Sequence, residues 1–340
     1  MSTATAAAYA NLAFVKYWGK RDSQLNIPLN GSISMNLSAA RTETTVQFDP
    51  QLGADLVLVG AEQQPAPAGF ARRVSAHLDR LRELAGARLP ARVATHNSFP
   101  TAAGFASSAS GMAALTTAAA AALGLSLSEA RLSALARAAS GSACRSVPAG
   151  FVEWQAGTDH DDSFAFQLAP PQHWEILDIA VVVSTREKAV SSSEGHLLAL
   201  ESPFWQARLE SIPGRLNSVR RAILERDFET FGRELEAEAM SMHAVALTSA
   251  HAAGRAWQSG IYYLLPDTLE LMLAVQSWRA DGVPVYFTLD AGPTVHLITP
   301  QRYRDAVAAA VREAEARLPG RAWTQYISHP APGAAVISKT

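Results

Sequence analysis

The 340-residue sequence holds one cysteine, Cys144, so an intramolecular disulfide is excluded and a reducing compartment is the default expectation. It also lacks any apolar run near the ~20 residues that a membrane helix requires. The nearest approach, Leu115 to Leu123, is short, Ala-rich and interrupted by threonines. An excess of one charge is missing too. Lys and Arg number 29 against 31 Asp and Glu, a formal net charge of -2 that argues against a general nucleic-acid binder. That balance still permits a local basic pocket for an anionic metabolite. Met1 to Tyr9 has no basic stretch and no apolar core, so no secretory leader is expected. Metal-ligand spacing is absent among the histidines, and no Gly-Lys-Ser/Thr loop of the Walker type occurs. These absences point to a cytoplasmic protein with no membrane and no nucleic-acid partner.

What is present is a globular composition, 48% hydrophobic and 18% charged. Single cores stop growing near ~250–300 residues, so the length suggests two domains, or one large one. Pro170 and Pro171 mark the break, giving 1–175 and 176–340. Strands are predicted over Tyr9 to Tyr17, Ser32 to Leu37, Thr42 to Phe48, Asp55 to Val59 and Arg92 to Thr95. Phe70, Val74, Leu78, Leu81 and Leu84 recur at helical spacing, with Gly86 placed to stop the helix. Further helices are predicted over Ser108 to Leu123 and Ser126 to Ala139, the latter capped by Ser126 or Ser128. In the second half Ile176 to Val183 reads as a buried strand. Leu216, Val219, Ile223, Phe228 and Phe231 predict one long helix, and Thr268 to Ala280 and Asp305 to Leu318 two more. Val283 to Leu289 and Ala334 to Ser338 close the pattern as strands. Helices and strands mix without regular βαβ repetition, which predicts an α+β fold.

The segment Pro100-Thr-Ala-Ala-Gly-Phe-Ala-Ser-Ser-Ala-Ser-Gly111 runs straight into the Ala-rich helix. Small side chains let backbone approach a ligand closely, and a helix start offers unpaired N–H groups and a positive dipole end. Composition alone leaves two readings level: a phosphate cradle, or a helix start packed tightly on a sheet. Lys16, Lys20, Arg21 and Arg145 lie in stretches otherwise rich in Gly, Ser and aromatics. A lone basic residue is usually a solvated surface charge. Arg145, just after Ser140-Gly-Ser-Ala, is better placed for a joint anion site. Asp290 ends a strand before Ala-Gly-Pro, and taken alone it reads as a turn aspartate bonding its own loop. Cys144 reads as a packed thiol, Asp159-His-Asp-Asp162 as a solvated loop and His243 as structural.

Four segments together resemble one family. Lys16-Tyr-Trp-Gly-Lys-Arg-Asp22, Pro100 to Ala109, Ser140-Gly-Ser-Ala-Cys-Arg-Ser146 with Gly150-Phe-Val-Glu-Trp154, and Asp290-Ala-Gly-Pro293 are similar, in order, to the signatures of diphosphomevalonate decarboxylases of the GHMP kinase superfamily. The resemblance implies a two-domain GHMP-kinase fold, its N-terminal domain like ribosomal protein S5 domain 2 and its C-terminal domain a ferredoxin-like sandwich. It implies ATP-dependent decarboxylation of 5-diphosphomevalonate to isopentenyl diphosphate, with Mg²⁺, in a homodimer. By the same resemblance Asp290 orients or deprotonates the 3-hydroxyl, Lys16 lies near the reacting centre and Arg145 holds the substrate carboxylate. Tyr17, Lys20, Ser140, Gly141, Ser142 and Ser192 contact the substrate. Ala103, Gly104, Ala106, Ser107 and Ser108 cradle ATP, with Ser107 or Ser108 reaching the metal. The chain departs from the family pattern at Thr294, where Asn is usual, at His196, where Met is common, and at Ser193, where some bacterial members carry Arg. These leave open a monophosphate substrate, giving isopentenyl phosphate. A 3-kinase without decarboxylation and a non-catalytic metabolite-binding protein are the further alternatives.

Overall fold

The computed structural model describes residues 2–99, 107–186, 188–249 and 260–340. Two long strands frame the first half, β1 (Ser2–Val15) and β4 (Ser32–Phe48), paired antiparallel. Between them a short ribbon forms from β2 (Lys20–Asp22) and β3 (Ile27–Pro28). The sheet continues from β4 through β7 (Ala91–Asn97) to β5 (Leu56–Val59) and β6 (Gln64–Pro65). β8 (Phe151–Trp154) pairs with the other end of β4 and with β9 (Ala165–Ala169). The last strand, β14 (Ala335–Lys339), returns to pair with β1. On one face lie α1 (Ala68–Ala85), α2 (Ser107–Ala122) and α3 (Glu129–Ala139). Ala4, Ala6 and Ala8 of β1 meet the alanines of α2 in one buried cluster. Small residues on both surfaces let this helix settle close to the sheet and be buried nearly all round.

The second half is a four-stranded antiparallel sheet in the order β11 (Tyr286–Leu289), β12 (Val295–Pro300), β10 (Ile176–Val182), β13 (Thr324–Ser328). All seven residues of β10 are buried, and they alternate between two cores. Ile179 and Val181 pack with α7 (Pro266–Ala280) and α8 (Arg304–Ala316). Ile176, Ala180 and Val182 join a cluster that also takes Phe14 and Phe151 from the first half. α5 (Trp205–Glu225) and α6 (Phe228–Thr248) add Val219, Ile223 and Phe231 to that shared core. Phe14 meets Phe231 edge-on at 4.9 Å, so an apolar seam fixes one half against the other.

The α+β expectation holds, and Gly86 ends α1 in a left-handed conformation at φ 63. Ser128, not Ser126, caps α3, accepting the Arg131 N–H. The single helix expected over Leu216 to Phe231 is two helices. Arg226 takes a left-handed φ of 59, and Asp227 starts α6 by accepting the Thr230 N–H. Ser32 to Leu37 and Thr42 to Phe48 are one strand rather than two. Among the described residues no helix is long and apolar enough to cross a membrane.

Candidate active site

A cleft of about 670 Å³ opens where the two sheets meet. Five pieces of backbone feed it. Lys16 follows β1, Ser107 and Ser108 open α2, and Ser140 to Arg145 run through a 3-10 turn, Gly141–Ser146. Ser192 begins α4 (Ser192–Leu198), and Asp290 to Thr294 form the turn between β11 and β12. Register shifts between Tyr9 and Asn11 and between Ala13 and Val15 break the regular β1 ladder where Asn11, Ala13 and Lys16 line the cleft. Bulges of this kind re-aim side chains.

Lys16 and Asp290, 274 residues apart, form an ion pair of 2.8 Å. The Lys16 ammonium is 2% exposed and also donates to the Ala13 carbonyl. Its backbone is clamped from both halves of the chain. Glu238 of α6 accepts the Lys16 N–H at 3.0 Å, while Asn30 and Arg208 donate to the Lys16 carbonyl at 2.9 and 3.3 Å. Arg208 and Glu238 are themselves a sealed pair at 2.6 Å. Asp290 is open only toward the cleft, with 35% of its side chain exposed. Burial by itself pushes this carboxyl up, but the attraction of Lys16, His296 and Arg145 outweighs it and holds Asp290 below the ordinary carboxylate range.

Arg145 is 4% exposed. Its Nε donates to Asn11 Oδ1 at 3.0 Å and one terminal nitrogen donates to Ser32 Oγ at 2.8 Å. Asn11 is oriented in turn by donating to the Ser142 carbonyl and to Ser146 Oγ. The guanidinium lies 5.8 Å from the Trp154 ring centroid, and no carboxylate among the described residues forms an ion pair with it. Burial lowers its affinity for the proton, while Cys144, Asp290 and Tyr17 oppose the shift. A guanidinium stays charged in any protein environment. The result is a buried cation held by neutral partners, which favours an incoming anion.

Tyr17 stacks between Trp154 and His196, with ring centroids 4.6 and 4.2 Å away. A Cβ at Gly141 would lie 2.5 Å from the Tyr17 ring, so only glycine lets the 3-10 turn approach it. Lys20 donates to Asn26 Oδ1 at 2.8 Å. Lys188 bridges Ser192 Oγ at 2.8 Å and the Ala291 carbonyl at 2.7 Å, joining the second half's two loops at the cleft. Ser140 and Ser108 hydroxyls are 3.5 Å apart, which brings the α2 start against the Ser140 turn.

Thus Lys16, Tyr17, Lys20, Ser107, Ser108, Ser140, Gly141, Ser142, Arg145, Ser192 and Asp290 all line one cleft. The expectations for Ala103, Gly104 and Ala106 lie outside the described residues. Among the described residues no group of three or more His, Cys, Asp or Glu side chains could hold a metal. Cys144 is buried and its thiol is pushed up to about 12 by burial, which fits an inert side chain. Asp159 and Asp162 accept backbone N–H groups of their own exposed loop.

Two family models divide the chain. Residues 8–165 match the diphosphomevalonate decarboxylase-like N-terminal domain, and residues 179–332 match the mevalonate 5-diphosphate decarboxylase C-terminal domain. The diphosphomevalonate decarboxylase of Aspergillus fumigatus is 37% identical over 331 residues, covering 91% of this chain and 80% of that protein. The chain belongs to the diphosphomevalonate decarboxylase family. The phosphomevalonate decarboxylase of Haloferax volcanii is also similar, 32% identical over 91% of this chain and 92% of its own. A structure described as "MDDEF in complex with MVAPP, AMPPCP and Magnesium" superposes with a TM-score of 0.89 at 34% identity. It covers 99% of this chain and 100% of that one, so the fold is the two-domain GHMP-kinase type.

Three contributions to the cleft carry no signal in the sequence. Asn11 and Ser32 hold Arg145 from 134 and 113 residues away, and no local signal marks either. Lys188 follows a polar stretch with nothing to distinguish it from a surface lysine. Arg208 and Glu238 lie on helices whose apolar spacing identifies the helix but not the buried charge.

Proposed function

We propose that the chain catalyses ATP-dependent decarboxylation of (R)-5-diphosphomevalonate to isopentenyl diphosphate, releasing ADP, phosphate and CO₂. The observation that carries this reading is the Lys16–Asp290 pair at 2.8 Å sharing one cleft with Arg145, a buried guanidinium that no carboxylate among the described residues pairs. An anionic substrate with a carboxylate at one end and phosphates at the other matches that distribution of cations. The bound MVAPP and AMPPCP of the similar structure support the same assignment.

Phosphoryl transfer moves the γ-phosphoryl of ATP to the tertiary 3-hydroxyl. Asp290 accepts the hydroxyl's hydrogen bond and takes its proton. A carboxylate held below its usual range is a weak base, which suits a loose transfer in which the hydroxyl becomes acidic only as its bond to phosphorus forms. Lys16 keeps Asp290 ionised and aimed, and its own ammonium neutralises charge beside the reacting oxygen. The new phosphate leaves from C3 and the carboxylate carbon departs as CO₂, giving the alkene. Arg145 fixes the plane of that carboxylate, since its bonds to Asn11 and Ser32 leave the fork little freedom.

Mg²⁺ neutralises phosphate charge when bound. Ser107 or Ser108 would supply a hydroxyl toward it, in keeping with a cation that commonly retains several waters and binds through substrate phosphates. The oxygen-only donor set at the α2 start fits that role, and no protein cage is required. We place the division between the halves at 175 and 176, supported by the gap between the two family matches, with the last strand, β14, returning to the first sheet. Coupled assays for ADP and CO₂ with mevalonate, its 5-phosphate and its 5-diphosphate test the reading. The expected result is both products with the 5-diphosphate. ADP without CO₂ points instead to a 3-kinase, and neither product to a binding protein.

A further inference from the structure

His196 lies 177 residues from Gly19 in sequence, yet its Nδ1 accepts the Gly19 N–H at 3.0 Å. A neutral imidazole with one accepting nitrogen carries its proton on the other, so this ring presents Nε2–H. The ring is wedged between Tyr17 and Trp18, with centroids 4.2 and 4.7 Å away and interplanar angles of 40 and 35°. Its carrier helix is fixed as well. A Cβ at Gly195 would lie 2.6 Å from the Tyr263 hydroxyl and 2.8 Å from Trp18, so α4 is seated as closely as a glycine allows. His196 lines the cleft beside Lys20, Ser192 and Lys188. Burial, with Lys20, Arg145 and Lys188 nearby, holds the imidazole well below the ordinary histidine range, so the ring is neutral.

We propose that His196 is a specificity-determining binding residue: its Nε2–H donates to the phosphate tail of the substrate as a rigid, uncharged, oriented donor. The proposal rests on the functional reading above. The surrounding lysines attract any anion regardless of where its charges lie. A locked neutral donor rewards only an oxygen at one place, so it weighs one tail length against another. A hydrogen bond to a charged oxygen corresponds to about 10–100-fold in binding.

Three variants test this: His196→Phe keeps the stack without the donor, His196→Gln keeps a donor near the Nε2 position, and His196→Asn is too short to place one there. Michaelis constants for ATP and for the 5-phosphate and 5-diphosphate of mevalonate are measured for each. We expect His196→Phe and His196→Asn to raise the substrate Michaelis constant about 10-fold or more and to shift the diphosphate-to-monophosphate preference, while the ATP constant stays within about twofold. His196→Gln should recover most of the loss. If His196→Phe fails to fold, as thermal melting would show, the Gln and Asn pair carries the same comparison. Unchanged substrate constants in Phe or Asn, or a Gln variant as poor as Asn, overturn the proposal alone. Wild-type protein that turns over neither substrate overturns the functional reading and this proposal with it.

Discussion

Asp290→Asn removes one charge from the cleft but leaves an oxygen beside the Lys16 ammonium, 2.8 Å away in the wild type. At that distance, with an effective dielectric constant of about 20, the gross attraction lost is about 6 kcal/mol. Drying both groups offsets much of that, and the 35% of Asp290 open to the cleft weakens it further, so the net cost to stability is about 1–3 kcal/mol. Melting should fall by only a few degrees for a chain of this size. Turnover should fall far more, by about 10²–10⁴-fold, because the group that takes the hydroxyl proton is gone. The stability cost has a pH signature. A carboxyl held below its unfolded value contributes fully above the ordinary carboxylate range, ~4, and loses that contribution as pH falls through the lower folded value. The gap between wild type and variant should therefore be flat above about pH 5 and close below about pH 4. Steady-state ADP release, thermal melting and a direct ATP-binding titration measure the three quantities. Turnover near wild type in a folded Asp290→Asn protein would refute the assignment, and a loss confined to ATP binding would move Asp290 to the nucleotide.

Gly141→Ala should push a methyl into the Tyr17 ring, 2.5 Å from the ideal Cβ, and overpacking of this kind costs about 1–3 kcal/mol. Its substrate Michaelis constant should rise about tenfold or more, and an unaffected constant would mean that Tyr17 does not shape the substrate site. Arg145→Lys keeps the charge but loses the fork held by Asn11 and Ser32, so overall turnover should fall about 10²-fold with some release of 3-phosphorylated intermediate. Mass spectrometry of quenched reactions detects that species, and a wild-type rate would remove Arg145 from the carboxylate. His77 is fully buried and burial lowers its pKa to about 3. Unfolded chain takes up its proton below ~6.5 while folded chain does not, so stability is lost as pH falls from there, by about 2 kcal/mol at pH 5. Urea unfolding should show His77→Gln losing less stability between pH 7 and 5 than wild type by about that amount, and identical losses would contradict it.

Periodicity made most elements legible, because α1 and α8 each bury one face and β10 is buried on both. It failed where a break carries no Gly or Pro. Arg226 adopts the left-handed conformation that glycine usually takes, and Asp227 caps the next helix, yet apolar residues continue at helical spacing across both. The sequence pattern breaks β4 in two because Ser38-Ala-Ala-Arg41 lacks the branched side chains that mark a strand. The cleft was legible as isolated motifs, since each holds unusual residues within a few positions. What joins them was not. Glu238 and Arg208 reach Lys16 across 222 and 192 residues because the two halves pack together, and Asn11 and Ser32 reach Arg145 across 134 and 113 residues through the folding of the first half. His196 stands out in the sequence as a departure, but its orientation depends on Gly19 and Trp18 closing on it.

The central claim is that one ATP is consumed for each carboxylate lost. Single-turnover reaction of the enzyme with ATP and 5-diphosphomevalonate labelled at its carboxyl carbon measures ADP, phosphate, CO₂ and alkene together. All four are expected in equal amounts, with CO₂ appearing no earlier than ADP. ADP accumulating without CO₂, or CO₂ released without ADP, would contradict it.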